Sequence, residues 1–178
     1  MSRDGSTPGL TVEQIPELGR ERFDEITGGA QDPFETDFLG LVWADKDLHF
    51  VVRSEGRLAA HAGLVVLPMT VGRERFDVAG LGTVIVSEKM RGHGLARMAV
   101  AAAVDHARDV LGVPFGLLFC LDSRVGLYRR LGWRLVEGDV TVGQPGGEVV
   151  MGIRTMWIPL RDGIEWPEGP VRLRALPM

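Results

Sequence analysis

VIVSEKMRGHGLAR, residues 84–97, decides the fold of this 178-residue chain. A β-branched run ends in Ser87, a loop with two glycines follows, and a helix opens within Arg91–Ala96. The helix reads as LARMAVAAAVDHARDVLG. Leu95, Met98, Ala102 and Val110 lie on its core face, and Arg97, Asp105, Arg108 and Asp109 on its solvent face. Gly112 and Pro114 form a common helix stop. FGLLFCL then reads as a buried strand, short, apolar and bounded by turn residues. Strand 84–87, helix 94–111 and strand 115–121 make a βαβ unit, whose two strands should be parallel.

Upstream, HFVVRS, a turn at Glu55-Gly56 and LAAHAGLVVLPMTV predict a hairpin. A second turn at 72–74 leads into RFDVAGLGTVIVS, giving three antiparallel strands over 48–87. Gly80 and Gly82 in the last of them predict a bulge, or a close approach to the backbone. Downstream, SRVGLYRRLGW predicts a short helix ending at Gly132. Strand-like pieces follow at 133–142 and 150–160, around a turn at 144–147. Residues 1–10 read as a loose terminus or the start of a first strand. Residues 11–27 read as an amphipathic helix opened by Pro16 and Gly19. Residues 28–47 read as an ordered loop or short helices. The class is α+β, with a mixed and mostly antiparallel sheet. The length suits a single domain over 1–178.

The net charge is −4 and the pI about 5.6, without the basic excess of a nucleic-acid binder. No apolar run reaches the roughly 18 residues of a membrane span, and the N-terminus lacks a secretory h-region. Cys120, the only cysteine, excludes an internal disulfide and fits a reducing cytoplasm. The four histidines and Cys120 are scattered without metal-ligand spacing.

A helix N-terminus offers unpaired N–H groups and partial positive charge. Gly92 and Gly94 let amides close on an anion, and Arg91 adds a full charge. Physically this is a pyrophosphate cradle. The other reading of the same residues is a glycine turn that starts a helix. The spacing is that of neither a dinucleotide-binding fingerprint nor a Walker loop.

About thirty residues on, LYRRLGW follows the buried strand. Arg91-x-x-Gly94-x-Ala96 together with Leu127-Tyr128-x-x-Leu131-Gly132-Trp133 resembles the paired signature of the GNAT superfamily of N-acetyltransferases. The resemblance covers about 49–160. It implies a sheet splayed into a V between strands four and five, with acetyl-CoA in the V. Backbone groups of Val84, Ile85 and Val86 would pair with the pantetheine arm. Amides of Arg91, Gly92, His93, Gly94, Leu95 and Ala96 would hold the pyrophosphate. Tyr128 would be the general acid toward the CoA sulfur, and a small-molecule amine would attack directly in a ternary complex. The superfamily also implies a possible homodimer through late strands.

Among subfamilies the chain is most similar to the aminoglycoside 2'-N-acetyltransferases, through Ala60-His61, Arg91-Gly92, Tyr128, Gly132-Trp133 and Pro159-Leu160. It is secondarily similar to the nodulation N-acyltransferases. The aminoglycoside enzymes carry a glutamate on the fourth strand, and Gly82 stands in its place here. His61 and Asp122 are the candidate replacement bases. As structural residues, the first would be a hydrogen-bonded histidine and the second a helix cap. Region 1–47 would form part of the substrate wall. If Asp32, Glu35 and Asp37 line it, a cationic acceptor is favoured. Phe34, Phe38 and Trp43 read as core anchors, His93 as a loop filler and Cys120 as a small core residue. Two alternatives accompany the transferase reading. One is an acyl-CoA-binding or sensing domain with little catalysis, and the other is transfer of a longer acyl group.

Overall fold

The computed structural model describes residues 9–178, so the expectation for residues 1–8 lies outside the described part. In chain order, Leu10–Ile15 is strand β1 and Gly19–Thr27 helix α1. Strands β2 (Leu48–Ser54), β3 (Arg57–Val71) and β4 (Glu74–Val86) follow. Helix α2 (Leu95–His106) leads through a wide turn over Ala107–Leu111 to β5 (Phe115–Cys120). Helix α3 is Val125–Arg130. The tail holds β6 (Arg134–Leu135), β7 (Val140–Gln144), β8 (Gly147–Val150), β9 (Arg154–Pro159) and β10 (Val171–Leu173). The fold is α+β, on one mixed sheet ordered β6-β9-β5-β4-β3-β10-β7-β8, with β2 on β3 and β1 on β2.

The β2–β3–β4 meander forms where the apolar runs and the turns between them place it. Its first turn has Glu55 and Gly56 both at positive φ, the geometry that matches the right-handed strand twist. Alternate residues of β2 serve two layers. Phe50 and Val52 face one hydrophobic cluster, and Val51 faces another with Ile15, Leu18 and Ile26. On the first face small residues meet. Ala60, Ala62 and Ala79 of the sheet lie against Ala99, Ala103 and Ala107 of the α2 segment, which lets helix and sheet approach closely.

β4 and β5 are parallel, as a helical crossover requires. Their pairing spans only Val78↔Phe115 to Leu81↔Leu118, although β4 continues to Val86 and β5 to Cys120. That divergence is the V. Beside it the β3–β4 register shifts between His61 and Gly63, leaving Thr83 and Val84 opposite Ala62. The bulge expected near Gly80 and Gly82 is therefore present, one residue beyond the second glycine.

Three expectations need correction. Residues 11–15 are a strand rather than the start of a helix. TVEQI pairs antiparallel along β2 from Thr11↔Arg53 to Ile15↔His49, and Pro16 separates it from α1. The piece expected at 133–142 is two strands, because β6 pairs with β9 whereas β7 lies between β10 and β8. Phe38 is 70% exposed in a single turn at Asp37–Leu39, and so is not a core anchor. The tail closes the second core cluster, where Trp157 and Trp166 stack at 5.1 Å around Phe115. Among the described residues no helix is long and apolar enough to cross a membrane.

Candidate functional site

A cavity of about 580 Å³ opens where β4 and β5 part. One wall is the end of β4, with Val84, Ile85 and Val86. Its floor is the loop and helix start Arg91, Gly92, Gly94, Leu95 and Ala96. The opposite wall holds Cys120, Leu127 and Tyr128, and the far end is closed by Phe34, Trp43, Lys46 and Met178. The structure thus brings together every residue expected to hold the acyl donor except His93. That ring turns back, its Nδ1–H donating to the Arg91 carbonyl at 3.0 Å, so it closes the loop rather than lining the cavity.

The loop needs its glycines for backbone reasons. Gly92 (φ 81°) and Gly94 (φ 77°) are left-handed, yet a Cβ on either would meet open space. The constraint is conformational rather than steric. Gly94 caps α2 without a side-chain hydrogen bond, and the first helical bond runs from Met98 N–H to the Gly94 carbonyl. The first-turn N–H groups of α2 are thus uncapped by any side chain.

Tyr128 is buried and stands edge-on to Trp133 at 6.2 Å. Burial first, then the neighbouring Cys120, pushes its hydroxyl well above the ordinary tyrosine value, so it keeps its proton at any working pH. The Cys120 thiol is pushed up to about 11 by burial and then by Asp122. A thiol so rarely ionised is a poor nucleophile, which suits a core residue.

Neither candidate base lines the cavity. His61 is fully buried, and both ring nitrogens are engaged, with His49 at 3.0 Å and with the Thr83 carbonyl at 2.7 Å. Asp122 is exposed and paired with Arg154, so it neither caps the turn it begins nor points inward. The acids of the N-terminal loop are also absent from the lining. Pro33, Phe34 and Thr36 form that wall. Asp32 turns back to accept the N–H groups of Thr36 and Asp37, at 3.0 and 3.2 Å. The charged side chains of the lining are all cations: Lys46, Arg91, Arg97 and Arg124.

Lys46 was not anticipated. Its stem crosses the sheet over two glycines that face each other in register, Gly63 and Gly82. A Cβ on Gly63 would lie 2.6 Å from Lys46 Cγ, and one on Gly82 2.6 Å from Lys46 Cε. Burial, opposed by Asp45, lowers its ammonium pKa to about 8. The only signal in the sequence was the pair of glycines within two apolar strands. Met178 was missed for a similar reason. It packs over Gly80 and Gly82, nearly a hundred residues away in the chain.

The sequence profile of the acetyltransferase (GNAT) family matches residues 15–133. An aminoglycoside 2'-N-acetyltransferase of Mycolicibacterium fortuitum is 31% identical over 120 residues, 65% of this chain. The match spans 60% of that relative's length. A GNAT family N-acetyltransferase (YhbS) from Escherichia coli, solved in complex with CoA, superimposes with a TM-score of 0.62 at 20% identity, covering 97% of this chain and 94% of that one. N-acetylglutamate synthase from Neisseria gonorrhoeae, complexed with coenzyme A and N-acetyl-glutamate, gives 0.58 at 12% identity, over 88% of this chain and 36% of that one. At these identities the two structures bear on the fold alone.

Proposed function

Because the chain belongs to the acetyltransferase (GNAT) family, we propose that it moves an acetyl group from acetyl-CoA to the primary amine of a small acceptor, by direct attack in a ternary complex. The whole chain would act as one such domain. The observation that carries this reading is the uncapped N-terminus of α2, with its two left-handed glycines, opening onto the cavity between the parted ends of β4 and β5.

Each part then has a task. Amides at Arg91–Ala96, with the Arg91 charge, would hold the pyrophosphate. The open edge of β4 at Val84–Val86 would pair with the pantetheine arm as an added strand would. Acetyl-CoA bound there supplies an activated acyl thioester. Tyr128 keeps its proton and lines the cavity, as the donor to a departing thiolate must. No side chain is assigned as the base, since His61 and Asp122 stand elsewhere. The cationic acceptor suggested by the acidic loop loses its support, because those acids do not reach the cavity.

Calorimetric titration with acetyl-CoA, desulfo-CoA and adenosine 3',5'-bisphosphate tests the reading, followed by an amine panel. Micromolar binding, weakened by Arg91→Ala and by Gly94→Glu, is expected. An absence of binding at millimolar ligand would refute it.

A further inference from the structure

Among the described residues, Lys46 is the one side-chain amine that lines the cavity, and the acyl transfer above gives it no role. The chain's only lysines are Lys46 and Lys89. Lys89 is exposed in the turn Glu88–Met90, outside the lining. The other cations of the lining are arginines, whose guanidinium groups stay protonated and are not nucleophiles.

The fold aims this amine. The Lys46 stem passes over Gly63 of β3 at Cγ and over Gly82 of β4 at Cε. It therefore crosses the sheet from β3 toward β4, the side from which β5 has parted. Gly82 is the first β4 residue beyond Leu81, where the pairing with β5 stops. A donor with its pyrophosphate at Arg91–Ala96 and its arm along Val86–Val84 carries its acyl end toward Thr83 and Gly82. Amine and acyl group are thus directed to the same end of the cavity.

The surroundings suit a nucleophile. Lys46 Nζ–H donates to the Ala44 carbonyl at 2.7 Å. No side-chain carboxylate of the described residues forms an ion pair with it. The main chain of Met178 lies beside Cε over Gly82. His49 on β2 and His61 on β3, the titratable groups that interact with it from the sheet, are both held below the ordinary histidine value by burial. Asp45 favours the ammonium, but burial outweighs it and brings the pKa to about 8. About a tenth of the side chain is then free amine at pH 7, a far larger share than in an exposed lysine. Desolvation is a common way to activate a lysine amine.

We propose that Lys46 is a self-acetylation site: when no external amine is present, acetyl-CoA bound in the cavity acetylates the Lys46 ε-amine of the same molecule. The assignment rests on the acetyl-CoA reading above. The Nζ lone pair forms a bond to the thioester carbonyl carbon, the C–S bond breaks, and its electron pair leaves with sulfur. Tyr128 gives its proton to that thiolate. Nitrogen releases one proton to water, and water returns one to Tyr128, so an acetyl group replaces one hydrogen on Nζ and CoA leaves as the thiol. The product keeps one N–H, enough for the bond to the Ala44 carbonyl, and has lost its half-buried charge.

The test incubates the full chain with acetyl-CoA and no acceptor, and follows acetylation of each lysine by peptide mass spectrometry. Lys46 should be acetylated about 10²-fold or more faster than Lys89, since a positioned acid alone is worth about 10²–10⁴-fold. The rate per molecule should not change with protein concentration. Lys46→Arg should abolish the fast uptake of acetyl, and Lys89→Arg should leave it as in the wild type. Calorimetry with acetyl-CoA separates the outcomes. An absence of binding would sink the function and this role together. Binding without acetylation of Lys46 would sink this role alone. So would equal rates at Lys46 and Lys89, or a rate per molecule that rises with protein concentration. Both lysines are read in the unaltered protein, so the result stands even where a variant does not fold.

Discussion

Replacing Gly82 by alanine should destabilise the fold and narrow the far end of the cavity. Gly82 has ordinary strand φ, so the cost is steric and not conformational. The new Cβ would lie 2.6 Å from Lys46 Cε and 2.8 Å from the Met178 carbonyl carbon. Ordinary contact begins near 3.4 Å. Lys46 can swing aside at the expense of cavity space. Met178 cannot move freely, because its side chain already fills the place of a Cβ on Gly80, whose nearest approach would be 2.6 Å. Overpacking of this kind costs about 1–3 kcal/mol. For a chain of this size each kcal/mol is worth roughly 2–4 °C in Tm, so a fall of about 2–12 °C is expected. Gly82→Glu should be worse, because the longer side chain needs the same space. Calorimetric melting with and without acetyl-CoA checks this. A Gly82→Ala Tm within about a degree of wild type would show that Lys46 and Met178 do not hold their places.

Tyr128→Phe should lower kcat by about 10²–10⁴-fold, the usual worth of a positioned acid, while its ring still packs on Trp133 and Tm hardly moves. Wild-type turnover at all pH values would remove its acid role. His61 has a folded pKa of about 4 against an ordinary 6.5, so the unfolded chain binds the extra proton between those values. Stability contributed by the neutral ring is complete above pH 6.5 and falls as pH drops to 4. Urea melts should show the wild type losing about 3 kcal/mol more than His61→Asn between pH 7 and 4, and equal losses would refute the burial argument. Gly116→Ala would set a Cβ 2.8 Å from Ile158 Cγ2 and 3.1 Å from Trp133, for a destabilisation of about 1–3 kcal/mol in the same melting assay. An unchanged Tm would mean that this part of the core yields more easily than its contacts imply.

The parts legible in the chain were those whose causes are local. Short apolar runs and the Glu55-Gly56 turn specify the β2–β3 hairpin, because strand propensity and φ preference act over a few residues. Gly94 and Gly112 bracket the α2 segment because both ends require left-handed backbone. The donor half of the candidate site follows, since it is a loop and a helix start contiguous with one strand. β1 was harder to read. TVEQI buries little besides Ile15, and only the edge of β2 makes it a strand.

The acceptor half depended on contacts that sequence spacing does not encode. Asp32, Glu35 and Asp37 form an acidic run, but the turn closed by Asp32 puts Phe34 and Thr36 on the cavity instead. His61 reads as a base until its second nitrogen meets the carbonyl of Thr83, twenty-two residues away. Lys46 and Met178 meet over one glycine of β4, Gly82, from distant parts of the chain. Periodicity and glycine placement thus determined the strands, the helix and the glycine loop before it, because those preferences act residue by residue along the backbone. Which side chains close the cavity was decided by tertiary packing, because only the folded sheet brings residues 46, 82 and 178 within contact distance.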